Sequence, residues 1–179
     1  FLSLPSFVSR TAVKDLGYAA LSNVKSATLT SSTATNNGYL KIYNIAEDGA
    51  LTLAKSLRVG VLPDMVTFSP DGNMIITANE GQPNDAYTVD PEGSVSIIDI
   101  SKGVASATVT TANFRAFNNN PTSIRKSVPT ATLAQEVEPE YIAVSADSKM
   151  AYVSLQENNA IAVLDLTTKK VTSIWDMGL

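Results

Sequence analysis

Residues 63–80, "PDMVTFSPDGNMIITANE", decide the fold, because the same pattern returns 76 positions later as residues 139–156, "PEYIAVSADSKMAYVSLQ". Each copy holds two short runs rich in β-branched and aromatic residues on either side of a polar turn, which is typical of a β-hairpin. A second pair follows at an offset of 66, "GSVSIIDI" at 93–100 and "NAIAVLDL" at 159–166. The chain therefore repeats a whole series of strands.

A fainter third copy, "GYLKIYNI" at 38–45, matches residues 93–100 at an offset of 55. Together the copies predict three four-stranded units, a pattern that is typical of β-propeller blades. The predicted strands are 9–14, 17–22, 38–45 and 50–57; then 64–69, 73–79, 94–100 and 104–110; then 140–145, 149–155, 160–166 and 170–175.

We therefore predict an all-β protein: a β-propeller of about three four-stranded antiparallel blades at 9–57, 64–110 and 140–175. A long connection, 111–137, joins the last two. The alternative is a β-sandwich with accidental internal similarity. Propellers need about four to eight blades to close, so residues 1–179 are expected to form part of a larger ring.

Composition excludes several classes of function. The chain has 179 residues, a 44% hydrophobic content, a net charge of −4, and neither cysteine nor histidine. A nucleic-acid partner is not expected, because no basic patch is present. A Ser-His-Asp triad and a zinc site built from histidine or cysteine are excluded within these residues. No apolar run is long enough to predict a transmembrane helix.

Acidic residues concentrate in residues 79–99, where the second unit holds about ten more residues than the third (76 − 66 = 10). Positions 59–101 contain no lysine or arginine. In an up-and-down blade, the loops between strands two and three share a face with the connections between blades. This acidic face is predicted to carry Asp64, Glu80, Asp85, Asp90, Glu92, Glu136, Glu138, Glu140 and Glu157, and the opposite face to carry Lys14, Lys102, Lys149, Lys169 and Lys170.

Clustered carboxylates repel one another, and a hard cation with oxygen ligands relieves that repulsion. We predict a divalent cation site, with calcium as the ion and Glu80, Asp85, Asp90 and Glu92 as ligands. The alternative is a solvated acidic loop. Asp99 is left out, because its repeat mates Asn44 and Asp165 occupy the same strand position; it is expected to bond to a turn.

The long connection carries Phe114 and Phe117, which are expected to anchor it, and Arg115 with two further cations, which are expected to lie over the acidic face. A weak helical pattern covers about residues 130–137. Trp175 is expected to pack at the end of a strand.

Residues 60–101, which include "NEGQPNDAYTVDPEG", residues 103–118, "GVASATVTTANFRAFN", and residues 136–166, "EVEPEYIAVSADSKMAYVSLQENNAIAVLDL", closely resemble the choice-of-anchor I family. The resemblance covers about residues 38–175, more loosely 9–37, and is specific over 62–100 and 136–166. That family includes mesenchyme-specific cell-surface glycoproteins linked to biomineralisation, and bacterial relatives labelled atypical alkaline phosphatases or phytase-like proteins. The resemblance implies a β-propeller that is secreted, periplasmic or on the cell surface. The turn "SADSK" lacks the glycine usual there, and is expected to be looser.

Three functions remain open at this point. The first is a non-catalytic module that binds divalent cations and other extracellular or matrix proteins. The second is a metal-dependent phosphoester hydrolase, which would need carboxylate-bound metals together with basic groups for the phosphate. The third is a structural subunit of a larger extracellular assembly. The sequence supplies the carboxylates but no convergent basic cluster, so the first is favoured and an enzyme is not expected.

Overall fold

The strands of the described residues form three four-stranded antiparallel sheets, and in each sheet the strands pair in chain order. The structure is a computed structural model, and it describes residues 11–14, 25–30, 35–119 and 124–178. The first strands of the sheets lie beside one another, which places them nearest a common axis. The prediction of an all-β, propeller-type fold is confirmed.

The three sheets are named blades 1 to 3 in chain order, and one short helix, α1, lies between blades 2 and 3. Their bounds are as follows: blade 1, β1 (Thr11–Lys14), β2 (Lys25–Thr30), β3 (Asn37–Ile45) and β4 (Leu51–Val61); blade 2, β5 (Pro63–Phe68), β6 (Met74–Asn79), β7 (Ser94–Asp99) and β8 (Thr108–Asn113); helix α1 (Leu133–Glu136); blade 3, β9 (Pro139–Val144), β10 (Met150–Leu155), β11 (Ala160–Asp165) and β12 (Lys170–Asp176).

Blade 2 forms the middle of the packing, because both faces of its central strands are covered. In β6 the residues Ile75 to Asn79 are all buried, and in β7 so are Ser94 to Ile98. Ile75 and Ile98 pack toward blade 1, whereas Ile76 and Ile97 pack toward blade 3. Each such isoleucine stabilises the fold by about 1.5–3 kcal/mol.

Blade 3 alternates instead, because only one of its faces is covered by a neighbouring blade in the described structure. In β10 the buried side chains of Ala151, Val153 and Leu155 alternate with more exposed ones. Tyr152 lies on the open face, and its ring centre is 5.9 Å from that of Trp175. Trp175 is 50% exposed, so its predicted packing role is only partly correct.

The second strand of blade 1 differs from the prediction. Residues 25–30 form it, and the predicted strand 17–22 lies outside the described residues. Ala27 and Leu29 are fully buried and pair with Ile42 and Leu40 of β3. The decisive signal in "KSATLT" is this alternation of apolar with small polar residues, which an emphasis on aromatic runs overlooks.

Two other strands also shift along the chain. Residues Val104–Ser106, predicted as the start of a strand, form a 3₁₀ turn that follows Gly103 at φ 86°; β8 starts only at Thr108, where it pairs with Asp99. Strand β4 runs on to Val61, because Val61 pairs with Asn37. Because β8 ends at Asn113 and β9 begins at Pro139, the long connection comprises residues 114–138.

The repeated turns use one hydrogen-bond pattern. Ser69 Oγ donates to Asp71 Oδ1 at 2.6 Å and accepts from Met74 N at 2.9 Å; Ser145 Oγ makes the corresponding bonds to Asp147 and Met150 at 2.7 and 2.9 Å. Both serines therefore hold the turns between the first two strands of their blades.

Asp99 and its repeat mate Asp165 each bond to a turn, as predicted. Asp99 Oδ1 accepts from Ser101 N at 3.0 Å, and Asp165 Oδ1 accepts from Thr167 N at 2.8 Å. The role is therefore the same in blades 2 and 3, at the last residue of the third strand.

Ser148 replaces the glycine of the equivalent turn in blade 2, Gly72, and both adopt positive φ (60° and 76°). The turn is not loosened, because Ser148 Oγ accepts a hydrogen bond from Asp71 N at 3.0 Å. This bond joins blades 2 and 3. Ser148 is 5% exposed. Its strained backbone conformation is therefore stabilised by a buried hydrogen bond between blades.

Two lysines also join neighbouring blades, at the ends of the blades that lie away from the acidic face. Lys169 Nζ lies 3.4 Å from Asp99 Oδ2, which joins blade 3 to blade 2. Lys55 Nζ donates to Ala105 O at 2.6 Å, which joins blade 1 to blade 2.

We expect Ser148→Ala to destabilise the protein by about 1–3 kcal/mol, because it leaves the Asp71 N–H without its acceptor. Ser148→Gly loses the same bond but removes left-handed strain of about 1–2 kcal/mol, so its loss should be smaller. Urea unfolding measures both, with the exposed Ser106→Ala as the control. A Ser148→Gly variant less stable than Ser148→Ala would contradict this account of the turn.

Candidate functional site

The loop between β6 and β7, residues 80–93, is clamped at both ends. Glu80 N and Gly81 N donate to Leu62 O and Val61 O at 2.9 and 3.1 Å, which fixes the loop to the link between blades 1 and 2. Gly93 N donates to Ala134 O at 2.9 Å. A Cβ at Gly93 would lie 2.0 Å from Val137 O, so only glycine fits this approach.

The tip of this loop bonds to itself. Asn84 Oδ1 accepts from Thr88 N at 2.9 Å and from Val89 N at 3.1 Å, the kind of side-chain-to-backbone bonding that favours turns. The ten extra residues of the second unit therefore form a turn held by its own asparagine.

The long connection lies on the acidic face, as its charges predict. Phe114 is fully buried in the core between blades 2 and 3, and Phe117 packs against that core. Helix α1 follows, with Gln135 Oε1 accepting from Thr132 N at 3.1 Å at its start. Gln135 Nε2 also donates to Asp90 O at 3.2 Å, which joins the connection to the loop.

A cavity of about 200 Å³, which we name the acidic cavity, lies where these segments meet. Its carboxylates come from three parts of the chain: Asp90 from the loop, Glu136 and Glu138 from the connection, and Glu157 from blade 3. The other residues that line it are Gln82, Pro83, Tyr87, Ser127, Val128 and Gln135, so no lysine or arginine of the described chain is among them.

Two of these carboxylates are fixed by hydrogen bonds. The Glu136 carboxylate accepts from Ser127 N and, at 2.9 Å, from Val128 N. Glu138 Oε2 accepts from Gln82 Nε2 at 3.4 Å. The cavity therefore has two acidic walls whose positions are set by the connection and by the loop.

A buried asparagine braces the connection behind the cavity. Asn158 is 2% exposed, and its Nδ2 donates to Arg125 O and Glu136 O at 3.0 Å each. Its Oδ1 accepts no hydrogen bond from any described residue.

Ionisation is costly on this face. Burial raises the pKa of Glu138, and the charges of Glu157, Glu140 and Glu136 raise it further, against a lowering bond from Gln82. Burial, with Glu136, raises the pKa of Asp90. Burial, with Asp64 and Glu157, raises the pKa of Glu140. The acids predicted to share a face thus repel one another electrostatically.

The four predicted ligands do not converge. Asp90 lines the acidic cavity, whereas Asp85 is exposed and lines an adjacent depression with Glu138. Glu92 Oε2 instead binds Arg115 Nε at 2.6 Å, and Glu80 lies at the clamped start of the loop. Within the described ranges, no three acidic side chains are arranged to hold one metal ion. The calcium site therefore stays a prediction.

Glu136, Glu138 and Glu157 line the cavity but were not predicted as ligands, although the strand pattern places them on the acidic face. The signal that identifies them is positional. Glu138 directly precedes the inner strand β9, Glu136 ends helix α1 just before it, and Glu157 lies in the tight turn after β10.

Comparison with protein families settles the relationship of the chain. The model of the choice-of-anchor I domain matches residues 11–179. The chain belongs to this family. The predicted resemblance is confirmed, and choice-of-anchor membership indicates an extracellular or cell-surface protein. No protein of curated function matches the chain.

Solved structures share the fold of this choice-of-anchor I chain. Kuenenia stuttgartiensis hydrazine synthase matches with a TM-score of 0.58 and 13% identity, over 87% of this chain and 47% of that one. A protein from Lactobacillus plantarum matches with a TM-score of 0.56 and 16% identity, over 93% and 42%. The chain spans less than half the length of either protein. Identities this low show a common fold alone.

The length and hydrophobicity of the described helices were compared with those of membrane-spanning helices. None of them has the length and apolar character needed to cross a bilayer.

We expect Glu138→Gln to stabilise the protein at pH 7, because it removes a carboxylate whose pKa is raised by burial and by neighbouring acids. The folded-state pKa lies above the unfolded value, so the cost of ionisation is complete above the folded pKa. It disappears below the ordinary glutamate pKa of about 4.3. Melting temperatures from pH 4 to 8 should show the gain shrinking as the pH falls.

Asp147→Asn is the matched control, because the Ser145 bond and the Lys149 N–H lower the pKa of Asp147. This variant should lose stability at pH 7, and the loss should persist until the pH falls through the depressed pKa. If Glu138→Gln instead lowers the melting temperature at pH 7, the electrostatic account of the acidic face is wrong.

We expect Gly93→Ala to destabilise the fold by about 1–3 kcal/mol through overpacking against Val137 O. Gly49→Ala is the control: Gly49 has φ 83°, and nothing lies within 4 Å of the position that a Cβ would take there, so only the backbone penalty of about 1–2 kcal/mol applies. Hydrogen exchange should be faster at residues 133–137 in Gly93→Ala alone. Equal exchange in both variants would contradict the clamp.

Proposed function

We propose that this chain is a non-catalytic, calcium-binding interaction module of a secreted, periplasmic or surface-attached protein. The observation that supports it is the acidic cavity, where four carboxylates from three segments meet and where burial raises the pKa of Asp90 and Glu138. A divalent cation favours the ionised form of such groups. Binding would therefore relieve the repulsion on the acidic face.

Calcium accepts six to eight oxygens, including amide and backbone carbonyl oxygens and water. Two carboxylates together with amide oxygens can therefore supply the first ligands of a calcium site. We assign Asp90 and Glu138 as the primary ligands, with Gln82 Oε1 as an amide ligand from the same cavity lining. Asp85 lines the adjacent depression with Glu138. These three acids do not surround one ion in the described structure, so Asp85 would become an additional ligand only when the ion draws the loop toward the connection.

Cation binding would also have a mechanical effect. Asp90 belongs to the loop, whereas Glu138 belongs to the long connection. An ion shared by both would draw these two segments together and order them. A calcium ion at the rim of the cavity would also leave coordination positions open for carboxylates of another extracellular or matrix protein.

This function is preferred to phosphoester hydrolysis because of the charge of the cavity. A hydrolase needs basic groups that converge with the metal on the phosphate. The cavity lining contains four carboxylates and, among the described residues, no lysine or arginine. The activity named for hydrazine synthase belongs to a protein that shares only the fold, so it does not extend to this chain.

Calorimetric titration with calcium tests the proposal. Wild type should bind saturably, and a hundredfold excess over the dissociation constant should stabilise it by about 2.7 kcal/mol. Asp90→Asn with Glu138→Gln should abolish both effects. Asp85→Asn should weaken binding, whereas Glu92→Gln should not, because Glu92 is bound to Arg115.

Glu47→Gln, an exposed acidic site in blade 1, is the matched control and should bind calcium as wild type does. The absence of saturable binding and of any melting shift in wild type would sink the proposal. Binding that survives in the double variant would move the site away from the acidic cavity.

A further inference from the structure

A second cavity, which we name the seam cavity, lies between blades 1 and 2 and measures about 380 Å³. Two guanidinium groups line it from different segments, Arg58 near the end of β4 and Arg115 just after β8. Glu92 is the only carboxylate among the described residues that line it. The seam cavity therefore has the opposite charge character to the acidic cavity.

The floor of the seam cavity is a buried polar network. Asn79 is fully buried, and its Nδ2 donates to Ser94 Oγ at 3.2 Å and to Ser96 Oγ at 3.1 Å. Gly60 N donates to Ser96 Oγ across the seam at 3.2 Å. A Cβ at Gly60 would lie 2.5 Å from Ser94 Oγ, so the wall opposite Ser94 is bare backbone.

Ser94 is poised to donate a hydrogen bond into this space. Ser94 lines the cavity, although the residue is only 7% exposed. Its oxygen already accepts from Asn79, and a hydroxyl keeps one proton to donate. Among the described residues it donates that proton to no acceptor, and a buried donor without an acceptor is costly.

Each of the two arginines has more N–H groups than the one hydrogen bond it donates to a neighbouring side chain requires. Arg58 Nη2 donates to Asn37 Oδ1 at 2.8 Å, and Arg115 Nε donates to Glu92 Oε2 at 2.6 Å. Each guanidinium carries five N–H groups in a planar fork. The Arg115 side chain is 69% exposed, so a ligand can reach it from solvent.

We propose that the seam cavity binds a tetrahedral oxyanion, a phosphate or sulfate group, through the guanidinium groups of Arg58 and Arg115 and the hydroxyl of Ser94. Guanidinium forks match the oxygen spacing of such groups, and charge-assisted bonds are the strong ones. Glu92 holds Arg115 in the absence of ligand, so it competes with the incoming anion. This site is independent of calcium, because its residues and its cavity are different.

The test is calorimetric titration with inorganic phosphate and, separately, with sodium sulfate, at constant ionic strength and with a chelator that removes calcium. Wild type should bind at least one of the two saturably, and the comparison identifies which. Arg58→Gln and Arg115→Gln should each weaken binding about tenfold, as expected for one charge-assisted bond. Glu92→Gln should strengthen binding, because it removes the competing carboxylate.

Lys102→Gln and Lys170→Gln are matched controls, because both lysines are exposed and each change removes one positive charge elsewhere. They should leave binding unchanged. If Arg58→Gln does not fold, Arg58→Lys replaces it in the test. This variant keeps the charge but loses the planar guanidinium fork, so it should also weaken binding. The proposal is overturned if wild type binds neither anion saturably, or if the lysine controls weaken binding as much as the arginine variants do.

Discussion

The burial of both faces of β6 and β7 is the constraint on which the rest of the structure depends. Ile75 and Ile98 face blade 1 while Ile76 and Ile97 face blade 3, so one pair of strands holds two interfaces. The polar residues Asn79 and Ser94 at the ends of these strands are buried by the same packing. Both the acidic cavity and the seam cavity lie beside this end of the pair, and their walls are fixed by it.

The repeat predicted the central strands well because their pattern is dictated by burial on a pleated sheet. Residues 63–80 and 139–156 form hairpins with equivalent turns in the structure. The errors lie where packing is weaker or the backbone turns: strand β2 was misplaced, and Gly103 starts a 3₁₀ turn before β8. Alternation of the buried Ala27 and Leu29 with polar residues in 25–30 carried the correct signal.

The charge pattern predicted which face is acidic but not which acids converge. Sequence spacing placed Glu80, Asp85, Asp90 and Glu92 in one loop, yet Arg115 binds Glu92 from a segment more than twenty positions away. Glu136 and Glu138 line one cavity with Asp90 because the long connection folds back over the blades, and Glu157 joins them from the turn after β10 in blade 3. Such contacts depend on tertiary packing between segments, which no local pattern in this sequence encodes.

The open face of blade 3 has a spectroscopic consequence. Trp175 is the single tryptophan of the chain, and it lies half-exposed against Tyr152 on that face. Intrinsic emission excited at the red edge of absorption therefore reports on one position alone. Anything that covers this sheet face would shift the emission to shorter wavelength and shield the indole from iodide. The protein thus contains an intrinsic fluorescent probe for contacts with this face of blade 3.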